Sequence, residues 1–448
     1  MVLRRMHIND IIELEIENSG MNGEGVAHFG GKVVFVPYTV KGERVRAVVK
    51  HVKSRYASCS VIKVLERSPY RVEPQCPHYY KCGGCDTLHL STDYRRQTLV
   101  AELKNNLKKI AKIDFNDIGF EPNIDGMPLR NKLSMPFGLA DGKVVLGLYR
   151  QNTHVVVPVS CDMSGELAKT IAEAVCDFAN RKKLSVYDEK SGKGLLRHLV
   201  VRTVGGRASA TLVINAQRFD GDNELAAMLP DNVDSFVCKN TVRSNVIMGD
   251  TVRLVKGNAR LKVDVLGVKA ELSPLSFFQV NDYMRDKLYK AAINAVTGGT
   301  LIDLYSGIGI TSNLAANSGK KVIAVECVPQ AVKDADYTAK LNGNDDKITN
   351  ICGNVEDVLP SITDTVGSVD VLIDPPRKGC GEGVAKTIAS FKPNTLIYIS
   401  CNHATMCRDI RAFLDVAPDY ELKSAKLFDM FVGTHHTETM VVLSRKDV

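Results

Sequence analysis

The sequence predicts a multidomain α/β protein: a small N-terminal five-stranded β-barrel, a central α+β region and a C-terminal doubly wound, mostly parallel sheet. Three observations carry this prediction. The chain has 448 residues, too many for one compact domain at roughly 100–200 residues each. Short Val- and Ile-rich runs broken by turn residues fill residues 8–65, the pattern of a small all-β unit. From residue 271 onward apolar strand-like runs alternate with helical patterns, which implies strand–helix winding of a parallel sheet. The expected domains are 1–68, 69–270 and 271–448.

In the first domain the strand candidates are the runs starting at Ile11, Gly25, Lys32, Arg44 and Cys59. Lys41, Arg44, Arg46, Lys50, Lys53 and Arg55 fall on the fourth run and the connection after it, with Phe29, Phe35, Tyr38 and Tyr56 nearby. Cations grip phosphates and aromatic faces stack bases, so this composition suits single-stranded RNA. Charge points the same way. Residues 1–112 carry 19 Lys and Arg against 11 Asp and Glu, while the other 336 carry 39 against 40. A basic module on a near-neutral body fits a polyanionic partner, although a solvated basic face is the alternative.

A Pro-containing linker, Pro69–Pro77, leads into Cys76-Pro-His-Tyr-Tyr-Lys-Cys82-Gly-Gly-Cys85. Three thiols this close, with glycines that let the chain wrap, suit a metal or iron–sulfur site. From the residues alone a zinc site stays open, and His78 and His89 are further candidates for it. A helix is expected over Thr92–Ile110. In the central region Leu196–Val204 and Arg207–Ile214 flank Gly205-Gly206, as in a tight hairpin.

The last domain should open with a helix over Asp282–Val296. Its expected strands are Thr300–Tyr305, Lys321–Glu326, Ile348–Cys352, Val369–Ile373, Thr395–Ser400, Leu422–Phe428 and Glu438–Leu443. Ligands of such sheets lie beyond the strand C-terminal ends. There the sequence places Asp303-Leu-Tyr-Ser-Gly-Ile-Gly, Glu326, Gly353-Asn354, Asp374-Pro-Pro-Arg377 and Cys401-Asn402. Taken alone, Cys401 could be a small hydrophobe at a strand end and Glu438 a surface acid. His435 and His436 could orient the substrate or simply pack.

These motifs carry resemblances. Gly23-Glu-Gly-Val-Ala-His followed by Val-Phe-Val-Pro-Tyr resembles a TRAM domain, an RNA-binding β-barrel. Asp303-x-x-x-Gly307-x-Gly309 resembles motif I of Rossmann-like class I S-adenosylmethionine (SAM) methyltransferases. Ser400-Cys-Asn-His-Ala-Thr-Met-Cys-Arg-Asp and Thr434-His-His-Thr-Glu-Thr resemble the signatures of the RNA m5U methyltransferase family. That resemblance covers almost the whole chain. It implies Cys401 as nucleophile and Glu438 as base, with Gln279, Tyr305, Gly307, Glu326, Asn354 and Asp374 around SAM. Many members have Asn or Thr where Ile310 stands here, so no contact is carried over to Ile310. The likeness also implies a [4Fe-4S] cluster on Cys76, Cys82, Cys85 and Cys161, the last of which spacing alone does not select.

The implied activity is SAM-dependent methylation of uridine C5 in 23S ribosomal RNA. A transfer RNA uracil methyltransferase, an amine-directed nucleic-acid methyltransferase and a non-catalytic RNA-binding protein with a vestigial SAM fold are the competing readings. The thiol beside the cofactor is what an amine methyltransferase does not need. The expected setting is soluble and cytoplasmic: no apolar run reaches the roughly 18 residues of a membrane span. The opening Met1-Val-Leu-Arg-Arg-Met lacks the features of a signal peptide. In a reducing compartment the twelve cysteines favour metal or catalytic roles over disulfides. No membrane and no obligate protein partner is expected.

Overall fold

The computed structural model describes residues 6–20, 22–123, 129–362 and 369–446. Its contacts divide the chain into two compact units. One takes the chain up to Asn105 together with Tyr149–His154 and Phe431–Thr437; the other takes Asn106–Leu148, Val155–Met430 and the rest from Glu438. The three-domain division at 68 and 270 is a different cut of the same chain.

In the first unit six strands pair in the order Ile11–Glu15, Arg44–Val52, Tyr56–Glu66, Lys32–Val36, Gly25–Phe29, Asn18–Ser19. The two ends of that order are consecutive pieces of one run. Between them Ile16 is fully buried and Glu17 donates its N–H to Val26 O at 2.9 Å. The sheet therefore curls until its edges meet at that run. The two-residue strand Asn18–Ser19 is one more than the five expected. Alternation fills the interior: Ile16, Ala27, Val34, Val36, Val45, Ala47, Val49 and Ala57 are all at zero exposure. Helix Thr92–Asn106 follows.

The second unit holds two larger sheets. The central one has seven strands, including the expected hairpin Leu196–Val204 and Arg207–Ile214. Helix Glu166–Arg181 buries Ile171, Val175 and Phe178 in the core shared with Leu199 and Leu212. The other sheet has eight strands in the order Ile348–Cys352, Lys321–Glu326, Thr300–Leu304, Asp370–Ile373, Thr395–Ser400, Glu438–Arg445, Tyr420–Phe428, Ile118–Glu121. The first five run parallel, and order reverses on either side of Thr300–Leu304. That reversal opens the crevice where ligands of such sheets bind. Ile118–Glu121 was not expected. It is four residues without alternation, and it is held by its parallel neighbour and by the Lys426–Glu121 ion pair at 2.5 Å.

Candidate active site

One topological detail places the two candidate catalytic groups together. Glu438–Arg445 lies antiparallel to Thr395–Ser400, with Thr439 opposite Ser400. The first residue of the one strand therefore falls beside the residue just past the end of the other. Glu438 and Cys401 become neighbours although 37 positions separate them. On the other flank of Thr395–Ser400, Asp370–Ile373 ends with Ile373 opposite Tyr398, so Asp374 follows at the same edge of the sheet.

Cys401 stands directly before helix His403–Val416, whose N-cap Asn402 accepts hydrogen bonds from the N–H groups of Ala404 and Thr405. Helix N-termini favour a thiolate. The Arg377 guanidinium hydrogen-bonds the thiol and draws its pKa down, while burial, Glu438 and Asp374 push it up; the net direction is up. Arg377 is held in place through its backbone: its carbonyl accepts from Asn402 Nδ2 at 3.3 Å and Thr405 Oγ1 at 3.2 Å.

Two carboxyls share this pocket. Glu438 is buried, and burial together with Asp374 raises its pKa well above the usual range, against a downward pull from Arg377. Burial and Asp303 push Asp374 up to about 7, opposed by a hydrogen bond from the Gln279 amide. Like charges this close cannot both ionise easily, so the pair holds a proton near neutral pH. Asp303 is itself pushed up to about 6 by burial while accepting from Thr311 at 2.7 Å and Ser312 at 2.6 Å.

The expected cofactor residues Tyr305, Gly307, Glu326, Asn354 and Asp374 lie at or just after successive strand ends, and Gln279 lies in the loop before helix Asp282–Asn294. Tyr305 has φ of 62° and Gly307 of 56°, and a Cβ added at Gly307 would meet nothing within 4 Å. That open cradle suits close approach of a ligand to the backbone. Glu326 fixes it from the next strand, accepting Gly307 N–H at 3.0 Å and Val328 N–H at 2.8 Å. Gln279 is buried beside Asp374. Asn354 is exposed at the next strand end and donates to Asp357 at 3.0 Å. A carboxylate at the second strand end, an open glycine turn and an exposed amide at the third fit a nucleoside cofactor with a cationic methyl donor. Arg377 is the residue that sequence reasoning missed: it stands there only as the end of Asp374-Pro-Pro-Arg377 with no role, and its place directly after Pro-Pro was the available signal.

In the first unit the basic residues divide. Arg44 and Arg46 are paired with Glu13 at 3.2 and 2.9 Å, and Arg44 also with Glu66 at 2.6 Å. Lys41, Lys50, Lys53 and Arg55 are exposed and have no ion-pair partner among the described residues. Tyr56 is exposed and packs edge-on against Phe35, whereas Tyr38 packs against Tyr79 and Tyr80.

The structure lends no support to the expected four-cysteine set, whose members Cys76, Cys82 and Cys85 belong to the first unit and Cys161 to the second. Among the described residues no group of three or more His, Cys, Asp or Glu side chains is placed to hold a metal ion. In the loop, Cys82 Sγ accepts Gly84 N–H at 3.3 Å, and Gly83 N–H is tied to Tyr149 O at 2.8 Å. Cys161 belongs to the second unit, where it lines a cavity of about 400 Å³ with Met135, Leu146 and Cys176. His89 is buried and neutral, its pKa lowered to about 4 by burial and Arg71, and it bonds Tyr79 at 2.7 Å. The loop's firm anchor is Asp86, which accepts from His435 N and Nδ1 at 2.9 and 2.6 Å. Arg95 adds bonds to Thr434 O at 3.0 and 2.8 Å.

Comparison with known proteins bears on the family. A family model described as tRNA (uracil-5-)-methyltransferase matches residues 362–446, and a TRAM domain model matches 7–62. An uncharacterized RNA methyltransferase of Caldanaerobacter subterraneus is 32% identical over 99% of this chain and 100% of its own. Another, from Halalkalibacterium halodurans, is 33% identical over 98% of each. Among solved structures, the Pyrococcus abyssi tRNA (uracil-54, C5)-methyltransferase in complex with S-adenosyl-L-homocysteine matches with a TM-score of 0.76. It covers 96% of this chain and 99% of its own at 24% identity, a likeness of fold. With a TRAM domain at one end, uracil-5-methyltransferase signatures at the other and relatives matched end to end, the chain belongs to the RNA uracil-5-methyltransferase family.

Proposed function

We propose that the protein methylates C5 of a uridine in 23S ribosomal RNA through a covalent adduct on Cys401. The grouping of Cys401, Arg377, Asp374 and Glu438 at adjoining strand ends is the observation that carries this reading. Uracil C5 is a weak nucleophile, and a covalent step divides the difficult reaction in two. The Cys401 thiolate adds to C6, and the C5=C6 electrons move onto O4 as an enolate. SAM supplies an electrophilic methyl group, which C5 takes. The Glu438 carboxylate then removes the C5 proton, the C–H electrons restore C5=C6, and the thiolate leaves. Arg377 favours the thiolate at the start. Gln279, Tyr305, Gly307, Glu326, Asn354 and Asp374 hold the cofactor, and the target base enters splayed from its stack. The barrel holds flanking RNA through Lys50, Lys53, Arg55 and Tyr56, in the cytoplasm.

The resemblance supports ribosomal RNA through the pairing of a barrel with four placed cysteines. A second reading, transfer RNA, is favoured by the Pyrococcus abyssi enzyme, whose substrate is a transfer RNA and whose match reaches 96% of this chain. Domain content therefore does not separate the two. Mapping 5-methyluridine in ribosomal and transfer RNA from cells with and without the protein does: a mark missing only from transfer RNA overturns the ribosomal assignment. Cys76, Cys82, Cys85 and Cys161 remain proposed [4Fe-4S] ligands on the family resemblance alone, since metals can order their own sites on binding. Iron in anaerobically purified protein, with absorption near roughly 400 nm, is the expected result. Zinc without iron rejects the cluster.

A further inference from the structure

The central sheet carries a pair of cations that the described residues balance only in part, through Asp282 beside Arg202. Lys132 and Arg202 are directly opposed on antiparallel strands, Lys132–Ala140 and Leu196–Val204. Directly opposed residues share a face of the sheet, and like charges there destabilise the pair. Both are also drawn out of water. Arg202 is 3% exposed, and burial lowers it to about 10 with Asp282 the opposing influence. Lys132, half-buried, is lowered to about 8 by burial and by Arg202, and no carboxylate acts on it.

Hydrogen bonding leaves the same gap. Arg202 gives Nη2 to Ser276 O at 2.6 Å, but its Nη1 is buried without a partner. Lys132 forms no side-chain hydrogen bond or ion pair with any described residue. A guanidinium cannot shed its proton to escape such a position, so an uncompensated charge stays in the sheet.

The pair sits beside the pocket. Arg202 holds Ser276 and, next to Lys132, Asn131 donates its N–H to Val280 O at 2.6 Å and its Nδ2 to Gln279 O at 2.9 Å. Between these anchors lies Phe277, 71% exposed, and beyond them Gln279 bonds Asp374. The cations thus flank the loop that touches the reaction centre.

We propose that Lys132 and Arg202 form a phosphate site that grips the RNA backbone next to the target uridine. Lys132 makes the contact, and Arg202 behind it supplies field and fixes the loop. An RNA phosphate has what the pair lacks, a full negative charge with several acceptor oxygens. Phosphate contacts set register rather than sequence, which suits a nucleotide whose base must be drawn into a pocket. The inference rests on the functional reading above. The carboxylate of SAM offers similar anionic chemistry, so the test separates the two.

Lys132→Gln and Lys132→Arg in the full chain are compared with the parent by RNA binding across a salt series, by kinetics and by thermal unfolding. With Gln, RNA affinity should fall about 3–10-fold, and the slope of log K against log salt should flatten by about 0.7–0.9, one phosphate contact. The kinetic loss should fall on KM for RNA more than on kcat or on KM for SAM. Tm without RNA should hold or rise, because a repulsion is relieved. Arg should keep the parental slope. Unchanged RNA affinity and slope, a loss confined to SAM, or a fall in Tm matched by equal losses in both would each overturn the site. If the parent forms no 5-methyluridine on any RNA, the functional reading fails instead. The binding arm needs no turnover and still judges the pair.

Discussion

Glu438 with Asp374 at the strand ends, and Lys132 with Arg202 on the central sheet, are both pairs of like charge held out of water. The acid pair has an internal remedy: either carboxyl keeps a proton, and Arg377 neutralises part of what remains. The cation pair has none among the described residues, because one member is a guanidinium and no described carboxylate acts on the other. A pair that adjusts its protons suits acid–base chemistry. A pair that cannot adjust waits for an ion from outside.

The comparison can be broken first at the thiol that faces the acid pair. Cys401→Ala should abolish the covalent RNA adduct and lower turnover by on the order of 10⁴-fold or more, while SAM binding survives. Adduct formation by this variant would remove Cys401 as nucleophile. Next is Glu438→Gln, which mimics the proton-holding form permanently. Here the adduct should still form and accumulate, visible as a gel-stable protein–RNA species, with turnover down about 10²–10⁴-fold. Equal loss of adduct and turnover would instead make Glu438 a structural acid.

Arg377→Met tests the one cation among the acids. The pH at which adduct formation is half-maximal should rise by about one unit, and Arg377→Lys should recover part of that shift. An unmoved profile would show that Arg377 does not act on the thiol. The smallest effect concerns stability. Asp374 keeps its proton up to about 7 when folded, against an ordinary value of 3.8. Between these values the folded form binds more protons than the unfolded one, so the contribution is present at low pH and is lost as pH rises through about 7. Tm of the ligand-free protein should fall by a few degrees, about 2–5 °C, from pH 5 to pH 8, and Asp374→Asn should flatten that trend.

Much of the larger unit was legible because the sheet is built from strongly apolar strands with chemistry at their ends. Lys321–Glu326, Ile348–Cys352 and Thr395–Ser400 fall where periodicity puts them. What spacing could not show was strand direction. Glu438 reaches Cys401 only because its strand runs antiparallel to its neighbour, and a run such as Glu438-Thr-Met-Val-Val-Leu reads the same either way. Lys132 and Arg202 were illegible for a related reason: each is an ordinary cation in its own strand, and only register makes them a pair. In the cysteine loop the pattern suggested a ligand set, and the structure adds only local bonds at Gly83 and Gly84.

The division into two units follows contacts rather than sequence order, and the chain passes between them five times. The unit that begins at the N-terminus takes Phe431–Thr437 as part of its own body, with Asp86 and Arg95 fastened to that segment. During synthesis this unit cannot be completed until residue 437 of 448 has emerged. A stop codon at position 431 would therefore deprive the N-terminal body of one of its own parts as well as removing the proposed general base, Glu438. Neither unit can be obtained by cutting the chain once, and a partial product of translation lacks both a finished RNA grip and Glu438.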